Sequence, residues 1–343
     1  MDDDTSIELS VVIPVYRSAA TLRQLVDCLL PVLKAIAPRH EIVFVEDGSP
    51  DDSWQVLSEL QAEHPESIIA IQLMRNFGQH NALMCGFRHA RGSFAVTMDD
   101  DLQNPPTEIP KLLQAIREGN WDVVYGQYAE KKHHLGRNLG SRTVNAFYRL
   151  VFRSDVTVTS FRIIRKETLD AILSYNLNFT FVDGLLAWNT RRIGSVLVDH
   201  EPRQQGRSGY SVWKLLTLAL NLFTNFSLLP LQVVSALGLC CATGGAMVGF
   251  YYLVFFLLGR IEVPGYASTI VAILMLGGCQ LLSLGIMGEY LGRLHLNVNR
   301  KPQYTERQIL RRQDGCDPLT LPNIDSRRTE AISCYRTPQP GRP

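Results

Sequence analysis

Two long apolar segments late in the chain, residues 231–258 and 267–291, constrain its fold more than any other feature. The first contains no charged residue, and the second contains only Glu289, close to its end. Each is longer than the ~20 residues that an α-helix needs to cross a lipid bilayer. Helices in the core of a soluble protein rarely stay uncharged over such a length, although a pair of core helices stays the alternative. We therefore predict two transmembrane helices with a short outer loop within residues 231–292.

The basic residues predict how these helices are oriented. Cationic side chains crowd both outer flanks of the pair, whereas the connection between the helices contains Arg260 and the acidic Glu262. The positive-inside rule places both flanks in the cytoplasm and the connection outside. Glycines in both spans permit close helix packing, so a homo-oligomer formed through the spans stays open.

The remaining segments complete the domain plan. Residues 1–210 are expected to form a cytoplasmic globular domain. Residues 211–230 carry Trp213 and many leucines, which predicts an amphipathic helix on the membrane surface, with a core helix as the alternative. Residues 293–343 are expected to form a cytoplasmic tail whose polar, proline-rich end is disordered.

Residues 1–210 alternate between strand and helix patterns. Apolar runs at residues 9–15, 41–46, 68–73 and 94–98 lack the polar alternation of half-exposed strands, and segments of helical spacing separate them. Such a pattern predicts an α/β fold with a mostly parallel sheet covered on both faces. Ligands of these sheets bind outside the carboxyl ends of the strands.

An acidic cluster, Asp99-Asp100-Asp101-Leu102-Gln103, directly follows the predicted strand at residues 94–98. Carboxylates placed so close together repel one another, and a divalent cation would relieve that repulsion. Oxygen ligands suit Mg²⁺ or Mn²⁺, which usually bridges carboxylates and the phosphates of a nucleotide. The alternative is a solvated acidic helix N-terminus.

Other polar residues also follow predicted strand ends. Tyr16, Asp47 and the loop at residues 75–80 each stand directly after an apolar run. A turn or a helix cap explains each of them alone, and Asp47-Gly48 especially. Four such strand ends converging at one edge of a parallel sheet favour a binding site.

Charge and cysteine content give little support to other classes of protein. The formal net charge of +1 gives no support for nucleic-acid binding. Seven cysteines without any C-x-x-C pair fit free thiols in a reducing compartment better than disulfides or a zinc site.

Five motifs carry a resemblance to a known family. They are VVIPVY at 11–16, EDGSPD at 46–51, RNFGQHNA at 75–82, DDDLQNPP at 99–106 and GEYLGR at 288–293. The chain resembles family-2 glycosyltransferases of the GT-A fold, in the branch whose acceptors are polyprenyl phosphates. The resemblance extends over residues 8–304, both spans included.

The resemblance implies a role for individual residues. Asp99 and Asp101 match its D-x-D pair, and Gln103 matches a further ligand of the Mg²⁺ or Mn²⁺ ion. Arg137 matches a basic residue that meets the acceptor phosphate, and Arg162 one that holds phosphates. Catalysis is thereby assigned to Asp99, Asp101, Arg137 and Arg162. The residues assigned to the nucleotide sugar are Pro14, Val15, Tyr16, Asp47, Asp99, Asp100, Arg203 and Ser208.

Departures from the family pattern are found at several positions: Arg17-Ser18, Glu46, Gln127, Ser160 and Gly209. At Ser160 the family commonly has an aspartate that is sometimes assigned as a base. A phosphate monoester has a second pKa of about 6, so the acceptor is largely a dianion at neutral pH and needs little deprotonation. We therefore hypothesise that Ser160 costs little activity.

The resemblance implies an inverting, metal-dependent membrane enzyme of the bacterial inner membrane with a cytoplasmic catalytic domain. It would move a sugar from a UDP- or GDP-linked donor to undecaprenyl or dolichyl phosphate, for envelope glycan synthesis or a lipid A-type modification. Two alternatives stay open. A polysaccharide synthase would need more spans, and a non-catalytic membrane partner would have no use for the acidic cluster.

Overall fold

The computed structural model describes residues 7–128, 157–175, 180–199, 201, 229–258, 265–299 and 302–312. Most of the predicted surface helix at residues 211–230 lies outside these ranges, as do Arg137, Arg203 and Ser208. The described strands are β1 (Leu9–Val15), β2 (His40–Glu46), β3 (Ile68–Leu73), β4 (Phe94–Thr97), β5 (Val123–Tyr128), β6 (Arg162–Arg165), β7 (Ile193–Val198) and β8 (Glu306–Leu310). The described α-helices are α1 (Leu22–Ile36), α2 (Ser53–Glu63), α3 (Gln79–His89), α4 (Ile109–Glu118), α5 (Lys166–Leu173), α6 (Val182–Asn189), α7 (Leu229–Leu257) and α8 (Tyr266–Val298).

The eight described strands form one sheet in the order β7-β5-β6-β4-β1-β2-β3-β8. Strands β4, β1, β2 and β3 are parallel neighbours, and β5 is parallel to β7. Strand β6 runs antiparallel to both β4 and β5, and β8 runs antiparallel to β3. The sheet is therefore mixed, with the predicted parallel arrangement at its centre.

Apolar side chains cover both faces of the sheet, as the strand patterns predict. In β1, Val11 and Ile13 belong to the cluster that contains buried residues of α1, α2 and α4. Val12, between them, belongs to the cluster that contains buried residues of α3, α5 and α6. Because successive side chains of a strand point to opposite faces, a continuous apolar run is what such a two-sided core requires.

The two long helices near the end of the chain leave their apolar side chains exposed. Leu239, Met247 and Phe250 on α7 are 67%, 69% and 69% exposed, and Leu281 on α8 is 73% exposed. Within the described residues, one helical stretch, Leu231–Tyr251, is long and apolar enough to cross a membrane. The second predicted span falls within α8, and its crossing of a membrane stays a prediction.

Strand β8 is not predicted by the sequence pattern. Its five residues, Glu306 to Leu310, lie in the segment expected to be a tail, yet they pair with the edge strand β3. Three of the five, Glu306, Arg307 and Gln308, are polar or charged, and none of the five is buried. A short strand held by backbone hydrogen bonds at a sheet edge has little apolar signal of its own.

Candidate functional site

A cavity of about 410 Å³ lies at the carboxyl ends of β1, β2 and β4. Its volume is within the range of small-molecule sites. The residues that line it are Pro14, Val15, Tyr16, Asp47, Asn76, Gly78, Gln79, Asp99, Asp100 and Asp101. The structure thus brings together the strand-end residues of the first domain that the sequence places at one edge.

Asp47 holds the loop that follows β3. Its carboxylate accepts hydrogen bonds from the backbone N–H of Phe77 at 2.7 Å and of Gly78 at 2.8 Å. Burial raises the pKa of Asp47, and these two hydrogen bonds oppose the rise. Gly48 makes the close approach possible, because its φ is +63° and a Cβ there would lie 2.4 Å from the carbonyl carbon of Arg75. The Asp47 carboxylate, which the resemblance assigns to the nucleotide sugar, therefore fixes one wall of the cavity.

Asp100 holds the loop that follows β1. Its Oδ2 accepts hydrogen bonds from the backbone N–H of Tyr16 at 3.2 Å and from the hydroxyl of Ser18 at 2.5 Å. Burial raises the pKa of Asp100 to about 6. Tyr16 stays 43% exposed at the cavity mouth, and the guanidinium of Arg17 lies 5.3 Å from its ring centroid. The middle carboxylate of the cluster thus connects the loop after β1 to the loop after β4.

Asp99 is the centre of a hydrogen-bond network. Its Oδ1 accepts from the side-chain amide of Gln79 at 2.7 Å, and its Oδ2 accepts from the hydroxyl of Ser160 at 2.6 Å. Each carboxylate oxygen has two lone pairs and can still bind a cation. Nearby, Tyr128 donates to Asn104 at 2.7 Å, and burial raises the pKa of Tyr128 to about 12. The serine that replaces the family's usual aspartate therefore contacts the D-x-D carboxylate directly.

Asp101 and Gln103 are separated by a strained turn. Leu102 between them has a φ of +61°, which is unusual for a residue with a side chain. The backbone N–H of Gln103 donates to Oδ1 of Asp101 at 3.2 Å, and its carbonyl accepts from the N–H of Glu201 at 3.0 Å. Glu201 stands directly before residues 202–210, so the chain enters that segment beside the acidic cluster.

The charges of this cluster fit a divalent cation. Burial raises the pKa of Asp99, the Ser160 hydrogen bond opposes the rise, and the negative charge of Asp101 adds to it. The buried charge of Arg162 opposes the rise only in part. Carboxylate and amide oxygens are ligands that Mg²⁺ and Mn²⁺ accept. Asp99 and Asp101 line the cavity, whereas Gln103 is not among its lining residues.

Arg162, for which a role in holding phosphates is predicted, is buried. The side chain is 1% exposed and forms an ion pair with the buried Asp183, which also accepts from Tyr125 at 2.8 Å. Burial lowers the pKa of Arg162, but the charge of Asp183 and the contact with Tyr125 raise it overall. Its contact with a phosphate stays a prediction. What the sequence could not show is the partner, which stands on α6 and meets β6 only in the folded chain.

Some predicted site residues lie outside the described residues, namely Arg137 and the loop with Arg203 and Ser208. Three other residues line the cavity without having had a predicted role. These three are Asn76, Gly78 and Gln79, whose loop the sequence places directly after a predicted strand. Their signal was the position after β3, which locates a loop without telling which of its side chains face the cavity.

Comparisons with known proteins agree on one family. The model of glycosyl transferase family 2 matches residues 10–177. An uncharacterized glycosyltransferase of Synechocystis sp. is 38% identical over 306 residues, which cover 87% of this chain and 94% of that protein. The undecaprenyl-phosphate 4-deoxy-4-formamido-L-arabinose transferase of Pseudomonas fluorescens is 34% identical over 312 residues, covering 89% and 90%. Its counterpart in Proteus mirabilis is 34% identical over 307 residues, covering 88% and 94%.

A solved structure shows the same fold. Glucosyl-3-phosphoglycerate synthase of Mycobacterium tuberculosis, crystallised with Mg²⁺ and uridine diphosphate, superposes with a TM-score of 0.50. The match covers 64% of this chain and 79% of that one at 16% identity. At that identity, the similarity concerns the fold alone.

Proposed function

This chain belongs to glycosyltransferase family 2, and from that premise we propose that it transfers a sugar from a nucleoside-diphosphate sugar to undecaprenyl phosphate. The relatives named as undecaprenyl-phosphate transferases support the acceptor, because the similarity extends over nearly the whole of both chains. The donor sugar of those relatives, 4-deoxy-4-formamido-L-arabinose, is the first candidate for this chain.

The cavity at the strand ends is the observation that carries this proposal. It combines an apolar and aromatic wall, Pro14 to Tyr16, with the carboxylates of Asp47, Asp99, Asp100 and Asp101. The wall suits the face of a nucleotide base, and Asp47 is also among the residues that line the cavity. The carboxylate pair Asp99 and Asp101 suits the cation that accompanies a diphosphate.

Asp99, Asp101 and Gln103 would hold Mg²⁺ or Mn²⁺. When bound, the cation supplies positive charge for the leaving nucleoside diphosphate. The protein's own contribution is orientation. Gln79 and Ser160 fix both oxygens of Asp99, and the turn at Leu102 fixes Asp101 relative to Gln103. The positive charge of the buried Arg162 lowers the pKa of Asp99 and so favours the ionised carboxylate.

The reaction needs no side-chain base in this account. An oxygen of the acceptor phosphate forms the new bond to the anomeric carbon, and the nucleoside diphosphate leaves with the electrons of the broken bond. Attack opposite the leaving group inverts the configuration at that carbon. The acceptor is largely a dianion at neutral pH, so Ser160 orients Asp99 and removes no proton.

The acceptor would reach the cavity from a membrane. The exposed apolar side chains of α7 and α8 support insertion of both helices, with the α/β domain on the cytoplasmic side of the bacterial inner membrane. Arg137, Arg203 and Ser208 are proposed to meet the phosphates. Contact between copies through the spans is part of the same proposal.

A transfer assay tests the proposal. Full-length protein in detergent would be given undecaprenyl phosphate and a panel of labelled UDP- and GDP-linked sugars, with Mg²⁺, Mn²⁺ or a chelator. Label should enter the lipid only when the cation is present. Asp101→Asn should reduce transfer by at least ~10²-fold, the usual effect of removing one group that stabilises developing charge. Asp27→Asn, which changes an exposed carboxylate on α1, is the matched control and should keep full activity.

The assay also separates the alternatives. Elongation of a sugar polymer would indicate a polysaccharide synthase. Intact nucleotide binding without transfer from any donor would indicate a non-catalytic partner. Full activity of Asp101→Asn would overturn the assignment of the cation site.

A further inference from the structure

A cluster of three metal-ligating side chains lies away from the cavity, between α3 and β8. Cys85 and His89 stand four positions apart and therefore on one face of α3. Glu306 opens β8, and its Oε1 lies 3.4 Å from Sγ of Cys85 and 2.9 Å from Nε2 of His89. Ligand atoms of the three residues all lie within 4.8 Å of one another.

Glu306 lies at an irregularity in the pairing of β8 with β3. β8 pairs with β3 in a regular antiparallel register until Gln72, where the register shifts before Leu73 meets Glu306. Irregularities of this kind turn a side chain away from the direction that a regular ladder would give it. Because backbone pairing already attaches β8 to the sheet, the convergence on Cys85 and His89 is an additional feature of this corner.

Burial differs across the cluster in the way an open metal site requires. The thiol of Cys85 is fully buried, whereas the side chains of His89 and Glu306 keep 19% and 30% of their exposure. An ion among the three donors would have protein on the thiol side and access to water on the other. The metal ion could enter from that water-accessible side, and a fourth ligand could bind it there.

The donor set selects a particular class of metal. Thiolate sulfur, imidazole nitrogen and carboxylate oxygen together are ligands of Zn²⁺, and hard cations such as Mg²⁺ avoid sulfur. With Zn–S near 2.3 Å and Zn–N and Zn–O near 2.0 Å, tetrahedral geometry puts neighbouring ligand atoms about 3.3–3.5 Å apart. The observed 3.4 Å and 2.9 Å need a movement of only a few tenths of an ångström.

We propose that Cys85, His89 and Glu306 bind Zn²⁺ with three protein ligands and a water molecule in the fourth position. Binding releases the thiol proton of Cys85 and moves the imidazole proton of His89 from Nε2 to Nδ1. The ion then replaces the two hydrogen bonds that now converge on Oε1 of Glu306. It joins α3, whose first residue Gln79 lines the cavity, to the strand that follows α8.

Neighbouring groups set the conditions for binding. Burial raises the pKa of the Cys85 thiol, and the charge and hydrogen bond of Glu306 add to the rise, so the metal has to compete with a firmly held proton. Arg88 is the nearby cation and Tyr304 the nearby phenol. Ionised Cys85 and Glu306 carry two negative charges against the single positive charge of Arg88. Zn²⁺ affinity should therefore rise with pH, because a proton leaves as the ion binds.

The test is a metal titration of the full-length protein in detergent after removal of bound metal with a chelator. Co²⁺ serves as the spectroscopic probe, because a sulfur-to-cobalt charge-transfer band reports thiolate ligation and is absent when only the acidic cluster of the cavity binds. Competition by Zn²⁺ gives the Zn²⁺ dissociation constant. Unfolding temperature in the presence and absence of Zn²⁺ gives an independent readout.

Cys85→Ser, His89→Gln and Glu306→Gln should each abolish the band or weaken Zn²⁺ binding by about 100-fold or more, since even outer-shell changes cost 10–100-fold. Cys28→Ser removes an exposed thiol on α1 and should change neither readout. Glu306→Gln changes a partly exposed residue and keeps its shape, so it covers the case in which Cys85→Ser fails to fold.

Two results would overturn the inference. One is the absence of a charge-transfer band in the wild-type protein. The other is equal Zn²⁺ affinity in the wild type and in Glu306→Gln. Either would leave the cluster as a hydrogen-bonded contact between α3 and β8.

Discussion

At the scale of single residues, the site concentrates backbone strain and buried charge. Arg17 and Leu102 both have φ near +60°, and they are the described residues other than glycine that do so. Arg17 follows the aromatic residue at the cavity mouth, and Leu102 divides Asp101 from Gln103. Strain of this kind costs about 1–3 kcal/mol per residue and persists where the surrounding contacts enforce it. Here those contacts include the hydrogen bonds of Asp100 and Asp101.

Ser160 provides the first prediction. Its hydroxyl donates to Asp99, and a hydrogen bond to a charged group contributes about 1.5–3 kcal/mol. Ser160→Ala should therefore lower transfer roughly 10- to 100-fold, and Ser160→Thr, which keeps the hydroxyl, should recover most of it. Ser160→Asp should lower the rate as well, because a second carboxylate would face Asp99. A gain of orders of magnitude in Ser160→Asp would contradict both this account and the hypothesis that serine costs little here.

His80 provides a prediction on pH. Burial lowers its pKa to about 4, with the charge of Arg162 acting in the same direction and that of Asp183 against it. The unfolded chain, with a histidine pKa of 6.5, therefore binds more protons between about pH 6.5 and pH 4. The stabilising contribution of neutral His80 is complete above pH 6.5 and decreases as the pH falls through that window.

Between pH 7 and pH 5 the wild type should lose about 2 kcal/mol more free energy of unfolding than His80→Gln does. Denaturant unfolding in detergent at the two pH values measures this difference. His64→Gln, at the end of α2, is the control and should follow the wild type. Parallel pH dependence of the wild type and His80→Gln would show that His80 is not held neutral.

The site residues differ in how far the sequence predicts them. Asp47, Asp99 and Asp101 stand at strand ends, and the apolar runs that locate those ends are local patterns. Arg162 has the same kind of position, yet its environment depends on Asp183, which is 21 residues away in the chain. Burial and pairing of a charge are tertiary properties, so the sequence indicates the charge without indicating what neutralises it.

At the scale of secondary structure, the centre of the sheet follows the sequence closely and the edges do not. The parallel strands β1 to β4 are buried on both faces, and their apolar runs are correspondingly clear. Strand β6 enters antiparallel between β4 and β5, and β8 joins the far edge from beyond α8. These pairings are long-range and leave no local pattern that distinguishes parallel from antiparallel neighbours.

The buried ion pair between β6 and α6 leads to a prediction about stability. Arg162→Met leaves Asp183 buried without its cation and should reduce the free energy of unfolding by about 3–5 kcal/mol. The double variant Arg162→Met, Asp183→Asn should recover much of that loss, because it removes the uncompensated charge. Denaturant titration of the three proteins measures the effect. A single variant as stable as the wild type but inactive in transfer would instead place Arg162 against the substrate.

At the scale of the whole molecule, transfer to a lipid phosphate depends on α7 and α8 lying in a membrane. Within the described residues, the contact between these two helices is the largest that either of them makes with another element. A cavity for a water-soluble donor and a hydrophobic anchor in one chain is the arrangement that a lipid phosphate acceptor requires. Burying these helices in lipid removes their side chains from water and leaves the backbone satisfied by its own helical hydrogen bonds.

A matched pair of substitutions tests the membrane prediction. Leu239 on α7 and Leu197 on β7 are 67% and 68% exposed. Leu239→Arg should impair insertion, because an arginine within a span costs about 2.5–3.5 kcal/mol on insertion scales, and more protein should be extracted by alkaline carbonate. The wild type and Leu197→Arg should both stay with the membrane pellet. Extraction of the wild type as a peripheral protein would contradict the prediction.

The most direct test of the central claim is a transfer reaction with a doubly labelled donor, one label on the sugar and one on the β-phosphorus. In the presence of undecaprenyl phosphate and Mg²⁺ or Mn²⁺, the sugar label should move into the organic phase while the phosphorus label stays in the aqueous phase. Movement of both labels into the lipid would show transfer of a phosphorylated sugar. Movement of neither label would show that no transfer occurs. Either result would contradict the proposed transfer of a sugar to undecaprenyl phosphate.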